Sequence, residues 1–236
     1  MEEKNKKTRI WELDAFRGLC ILGMIFVHAV WDLDNVFLSD FSPPLVYEYM
    51  IDYGALLFIV LSGVCVTLGR HSVKRGFIVL AAAMLVSLAF SVLEPLGIGS
   101  FYPVWFGILH LLGTCMLLYP LLKKLPYWCL IPIAMAFVLL GWYVEGVGVD
   151  FAPLLVLGFD SGISMSDYFP LFPNLGWFLL GIALGKLLYQ QRVSLLPNFP
   201  HNNWICRFLM LCGRHSLIIY VLHQPIVYGI LWLIFG

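Results

Sequence analysis

Residues 53–93 read YGALLFIVLSGVCVTLGRHSVKRGFIVLAAAMLVSLAFSVL. Two apolar runs, about Tyr53–Leu68 and Gly76–Leu93, flank a short turn that carries Arg70, Lys74 and Arg75. Apolar runs of about 18 residues read as membrane-spanning helices. Two of them joined by a basic turn read as a hairpin that crosses a bilayer twice, with the turn on the side where Lys and Arg collect. The pair Ser62-Gly63 in the first run suits close helix contact.

The rest of the chain repeats this pattern. It is 61% hydrophobic and only 12% charged, about half the charged fraction of a soluble domain. Further spans are expected at about Phe16–Trp31, Trp105–Leu122, Tyr127–Val144, Phe172–Tyr189 and Ser216–Phe235. The reading is an all-α, polytopic membrane helix bundle of about seven transmembrane helices, forming one integral-membrane domain over residues 1–236. Phe151–Phe159 is apolar but too short to cross as a helix, so it reads as re-entrant or interfacial. Trp204–Cys212 reads as an interfacial helix leading into the last span. The N-terminal stretch shows no small-residue cleavage pattern and is read as leading directly into the first span.

Charge orients the spans. Lys4, Lys6, Lys7, Arg9 and Arg17 precede or open the first span, and Arg70, Lys74 and Arg75 lie in the second connection. Lys123 and Lys124 lie in the fourth, and Lys186, Arg192, Arg207 and Arg214 lie between the last two spans. These are all 14 basic residues, and a seven-span chain puts every one on the same side, which is cytoplasmic. Asp32, Asp34, Asp40, Glu48, Asp52, Glu94, Glu145, Asp150, Asp160 and Asp167 fall on the other. The N-terminus is therefore expected in the cytoplasm and the C-terminus outside, in a cell-membrane protein.

The polar groups inside the apolar runs are the candidates for function, because ionisable side chains there are costly and usually face a cavity or a partner. In LDAFRGLCILGMIFVH, residues 13–28, Arg17 and His28 are eleven residues apart. That is close to three turns and about 16 Å of helix, so both share one face. Asp14 stands three residues before Arg17, in reach of an ion pair. His110 in the fourth span is expected at a depth similar to His28, so the two could line one cavity. His223, followed by Pro225, is expected about two turns from the cytoplasmic end of the last span. Each has a structural alternative: a snorkelling anchor for Arg17, a helix-to-helix hydrogen bond for the histidines. Arg70, Arg75, Arg207 and Arg214, with Lys74, gather cations at the cytoplasmic mouth, where a phosphate-rich ligand could dock; topology and lipid attraction are the alternative. His71, His201 and His215 read as solvated. The six cysteines are scattered with no C-x-x-C pair, which points to packing rather than to a disulfide framework or a metal site.

RIWELDAFRGLCILGMIFVH, FIVLSG, FGILHLLG, DYFPLFPNLGWFLLGIALG and LGRHSLIIYVLHQPI follow one another in this chain. In that order they resemble bacterial members of the heparan-α-glucosaminide N-acetyltransferase catalytic-domain family, from about Arg9 to Ile226. The resemblance implies an acyltransferase that takes acetyl from cytoplasmic acetyl-CoA and delivers it to an extracytoplasmic amino sugar, glycan or similar acceptor; heparan itself is not carried over. It implies His28 as a catalytic residue and links Arg17 to donor binding; His110, from its expected depth, is the second catalytic candidate. Arg17, with Arg70, Arg75 and Arg214, would bind the donor. Asp14, Asp32 and His223 would bind the acceptor. No metal and no nucleic acid are expected; lipid surrounds the bundle, and a homo-oligomer is left open. The rival readings are a transporter or permease without chemistry and a non-catalytic membrane subunit.

Overall fold

The computed structural model describes residues 9–38, 42–93, 102–163 and 165–235. Lys4, Lys6, Lys7, Asp40 and Glu94 lie outside the described residues. The helices are α1 (Trp11–Asp32), continued by a π-helical turn (Leu33–Phe37), α2 (Leu45–Leu68), α3 (Ser72–Leu93), α4 (Ile108–Leu122), α5 (Tyr127–Glu145), α6 (Leu171–Leu188), α7 (Trp204–Arg214) and α8 (Ser216–Phe235). Among the described residues there is no β-strand, only an isolated bridge between Gly148 and Asp160. Six helices are long and apolar enough to cross a membrane; α4 is apolar but spans only 15 residues.

The differences from the sequence reading have local causes. The α2 helix begins at Leu45, after Pro44, and carries Glu48 and Asp52 beyond the apolar run, because backbone hydrogen bonding continues where hydropathy stops. The α4 helix begins at Ile108 because Phe106 has its carbonyl tied to Phe169 N–H at 3.0 Å, which holds the approach to α4 in a loop. Phe151–Phe159 folds as a 3₁₀ turn (Ala152–Leu157), pinned by Tyr168 OH donating to the Leu155 carbonyl at 2.7 Å.

The core is built around α6, which packs between α5 and α2. A side chain at Gly63 would collide with the Phe178 carbonyl, and one at Gly181 with the Val60 carbonyl, so α2 and α6 touch backbone to backbone. Ile59, Val66, Phe178, Leu179 and Ile182 are buried around this crossing. Helices that cannot be pressed together by the hydrophobic effect associate through such close contacts of small residues.

The second close crossing positions the site. A Cβ at Gly18 would strike the Leu209 carbonyl, and one at Gly213 the Asp14 carbonyl. Leu209 lies against Gly18 and Gly213 against Asp14, so α7 runs along the first half of α1 in the opposite direction. The chain breaks at His215, and α8 then starts partway up α1. His223 is the buried residue of α8; its large apolar side chains, among them Ile218, Leu222, Ile226 and Leu233, face outward.

Candidate functional site

The fold brings two polar clusters onto α1. The first is a basin of about 900 Å³ at the end where α1 begins. Arg9 and Arg17, Arg70 and Arg75 beside the α2–α3 turn, Arg192 in the α6–α7 connection and Arg214 at the end of α7 all line it. Leu13, Cys65 and Leu68 supply apolar wall. Asp14 holds two of the cations, Arg17 Nη1 at 3.5 Å and Arg214 Nε at 3.4 Å. The i, i+3 pair expected from the spacing is thus present, and α7 adds a second arginine to it. All four arginines expected to bind a donor come together here. Asp14 lies with them, away from Asp32 and His223, with which the sequence reading grouped it. The reason is its position on the first turn of α1, more than four turns before Asp32. Arg207 does not line the basin.

The cover of this end is also held by α1. Glu12 accepts from Ser194 OH at 2.8 Å and from Leu195 N–H at 2.7 Å, and Trp11 stacks between Phe199 and His201. His201 is thus part of an aromatic stack as well as a loop residue.

The second cluster centres on His28. Its Nδ1 lies 3.0 Å from His223 Nε2 and 3.1 Å from Met24 Sδ. His223 lies about two turns into α8, as expected from its place in the span; it meets His28 because α7 occupies the basic end and α8 starts higher. The network assigns the tautomers. His223 Nδ1 lies 2.6 Å from the Tyr220 carbonyl, an acceptor only, so Nδ1 carries the proton and Nε2 is bare. His28 must then donate from Nδ1, which leaves Nε2 of His28 with its lone pair. No described residue takes up that nitrogen.

Around the pair stand three groups that sequence reasoning did not pick out. Gln224 Nε2 donates to both oxygens of Asp32 at 3.1 Å; Asp32 is fully buried, and Gln224 Oε1 is a buried acceptor left unpaired among the described residues. A Gln directly after a His inside an apolar span was the available signal. Tyr220 OH donates to Asp167 Oδ2 at 3.1 Å, and the same oxygen accepts from Ile108 N–H at 3.1 Å. Burial pushes the Asp167 carboxyl up to about 6, against the lowering effect of those two hydrogen bonds. Nothing in the sequence links Asp167 with Tyr220, since one lies in the α5–α6 connection and the other in α8.

His110 makes no hydrogen bond to the His28–His223 pair among the described residues. Its Nδ1 accepts from Gly107 N–H at 3.2 Å, and its Nε2 lies 3.5 Å from Ser87 Oγ, which donates to the Val104 carbonyl at 2.6 Å. Both ring nitrogens are used in closing the start of α4 against α3. Among the described residues, no group of three His, Cys, Asp or Glu side chains converges as a metal site, and all six cysteines are free.

A histidine pair, with His223 buried, is joined along α1 to an arginine basin within a bundle of apolar helices, six of them long enough to cross a membrane, which is the architecture of a multi-pass membrane protein. The chain belongs to the heparan-α-glucosaminide N-acetyltransferase catalytic family, whose family model matches residues 9–225. The match takes in the whole basin and both histidines of the pair. Neither a curated protein nor a solved structure matches the chain. Family membership carries transferase activity in a membrane-embedded, acetyltransferase-type domain.

Proposed function

We propose that the protein is a cell-membrane acyltransferase. It takes the acetyl group of acetyl-CoA from the cytoplasmic side and hands it to an amino sugar, glycan or similar acceptor reached from the other side. In this reading α4 crosses as the seventh span, the basic end is cytoplasmic and the C-terminus is outside. The observation that carries it is the α1 helix itself, which joins Arg17 in the basin to His28 in the pair. Their separation, about 16 Å by helix rise, suits a thin ligand arm with phosphates at one end and a thioester at the other.

Arginine forks grip phosphate oxygens in two-point contacts, so the basin would hold the nucleotide end. The apolar wall of Leu13, Cys65 and Leu68 gives the arm a dry way inward. At the far end, His28 Nε2 takes a proton from the acceptor amine or hydroxyl as that group attacks the thioester carbonyl carbon. The new C–N or C–O bond forms, the C–S bond breaks, and the imidazolium returns the proton to the departing thiolate. His223 is a positioning residue: its bare Nε2 holds the His28 Nδ1 proton and steadies the positive charge as it develops. Asp32 and Gln224 support the acceptor side, where the unpaired Gln224 oxygen would receive an N–H or O–H of the sugar.

The test is single-turnover transfer of labelled acetyl from acetyl-CoA to amino sugars by the purified protein in nanodiscs. Labelled product in the wild type, lost in His28→Ala with acetyl-CoA binding intact, is the expected result. Solute flux in liposomes without any acetyl product would overturn it in favour of a transporter.

A further inference from the structure

A second concavity, of about 860 Å³, opens at the basic end beside the basin. It lies between the α2–α3 turn, the start of α3 and the end of α4. Its rim carries Arg70, His71, Lys74 and Lys123, and no acidic side chain lines it. Its floor is apolar, with Phe77, Ile78 and Ala81 of α3 and Pro120 of α4. From there an exposed stripe runs along α3. Phe77 is 61% exposed, Ile78 50%, Leu85 56% and Leu88 63%. With Ala81, their spacing of about one turn puts them on one face. From Phe77 to Leu88 the stripe is about 16 Å long by helix rise, close to the depth of one leaflet of a core about 30 Å thick.

A cationic rim above an apolar groove that continues for one leaflet matches one shape: an anionic head joined to acyl chains. We propose that this groove binds an anionic glycerophospholipid of the leaflet at the basic end, such as phosphatidylglycerol. The phosphate would sit among Lys74, Lys123 and Arg70, and an acyl chain would follow Phe77, Ala81, Leu85 and Leu88. Charge complementarity selects the head, and the length of the stripe selects a membrane lipid over a soluble phosphate. Arg70 also lines the arginine basin, so the lipid would share one cation with the donor site. The proposal does not depend on acetyl transfer.

Native mass spectrometry of the full chain released from detergent tests this, with phosphatidylglycerol and phosphatidylcholine of identical acyl chains as probes. Wild type retains phosphatidylglycerol over phosphatidylcholine. A basic side chain near an anionic surface contributes about 1 kcal/mol, about fivefold, so the Lys74→Gln/Lys123→Gln double variant lowers that preference about 25-fold. Ala81→Trp, which fills the groove without changing charge, lowers retention of both lipids. Arg207→Gln, outside the groove, leaves the preference intact. Equal retention of the two lipids by wild type would overturn the proposal. So would an equal loss in Arg207→Gln, which would mean diffuse surface charge, or displacement of the lipid by glycerol 3-phosphate alone, which would mean a soluble phosphate site.

Discussion

Replacing His223 by Phe tests the arrangement of the pair most directly. Phe keeps the ring volume in the buried position but removes the acceptor that now lies 3.0 Å from His28 Nδ1. The His28 Nδ1 proton then has no strong acceptor, since Met24 Sδ at 3.1 Å is a weak one. In the ground state the lost bond joins two neutral rings, worth about 1 kcal/mol net. When His28 takes up a proton in the transition state, the same bond becomes charge-assisted, about 1.5–3 kcal/mol. Only interactions stronger in the transition state raise the rate of the chemical step. The difference is about 0.5–2 kcal/mol; at a tenfold change per about 1.4 kcal/mol, the single-turnover rate of His223→Phe is expected to fall roughly 2–30-fold, while affinity for acetyl-CoA stays unchanged. His28→Ala should fall further, by about 10²–10⁴-fold. Because His223 acts through His28, the double variant should be no slower than His28→Ala. His223→Gln, which can again offer an acceptor to His28 Nδ1, should recover part of the rate. The assay is rapid-quench transfer of labelled acetyl in nanodiscs, with thermal melts as the folding control. A folded His223→Phe protein at the wild-type rate, or a double variant whose loss is the product of the two single losses, would refute the reasoning.

Three further outcomes follow from other parts of the structure. Arg17→Ala should weaken acetyl-CoA binding roughly 10–150-fold, the range for losing a charge-assisted hydrogen bond, with little change in thermal stability because Asp14 keeps Arg214 at 3.4 Å; titration calorimetry of CoA against the variant reads this, and unchanged affinity would reduce Arg17 to an anchor. Gly18→Ala puts a methyl group into the Leu209 carbonyl and should cost about 1–3 kcal/mol as overpacking, seen as a lower melting temperature, whereas Gly54→Ala, where nothing lies within 4 Å of the added atom, should not. Asp167 has a carboxyl raised to about 6 by burial, so the folded state holds its proton more tightly than the unfolded chain does; the stability this provides is complete below about pH 4 and is lost as pH rises through about 6. Asp167→Asn removes that dependence, so its melting temperature should gain on wild type between pH 4 and 7; a constant difference across that range would show that Asp167 does not titrate there.

What the sequence alone determined were properties that belong to single helices. Span length is set by bilayer thickness and by the need to satisfy every backbone group within the segment, so the apolar runs around Gly63, Gly141 and Gly181 marked α2, α5 and α6 without any knowledge of partners. The pitch of the helix likewise put Arg17 and His28 on one face and Asp14 beside Arg17. Relations between helices were legible only where a short-range rule covered them, as with the small pair Ser62-Gly63 that marks the α2–α6 crossing. The meeting of His28 with His223 had no such rule. It depends on α7 folding back along α1 through Gly18 and Gly213, which shifts the start of α8 toward the middle of α1; hydropathy gives an apolar run no depth relative to its neighbours. The joining of Asp167 to Tyr220 and the gathering of arginines from α1, the α2–α3 turn, the α6–α7 connection and α7 have the same origin. Helical periodicity fixes positions along one axis, and only tertiary packing fixes how the axes stand against each other.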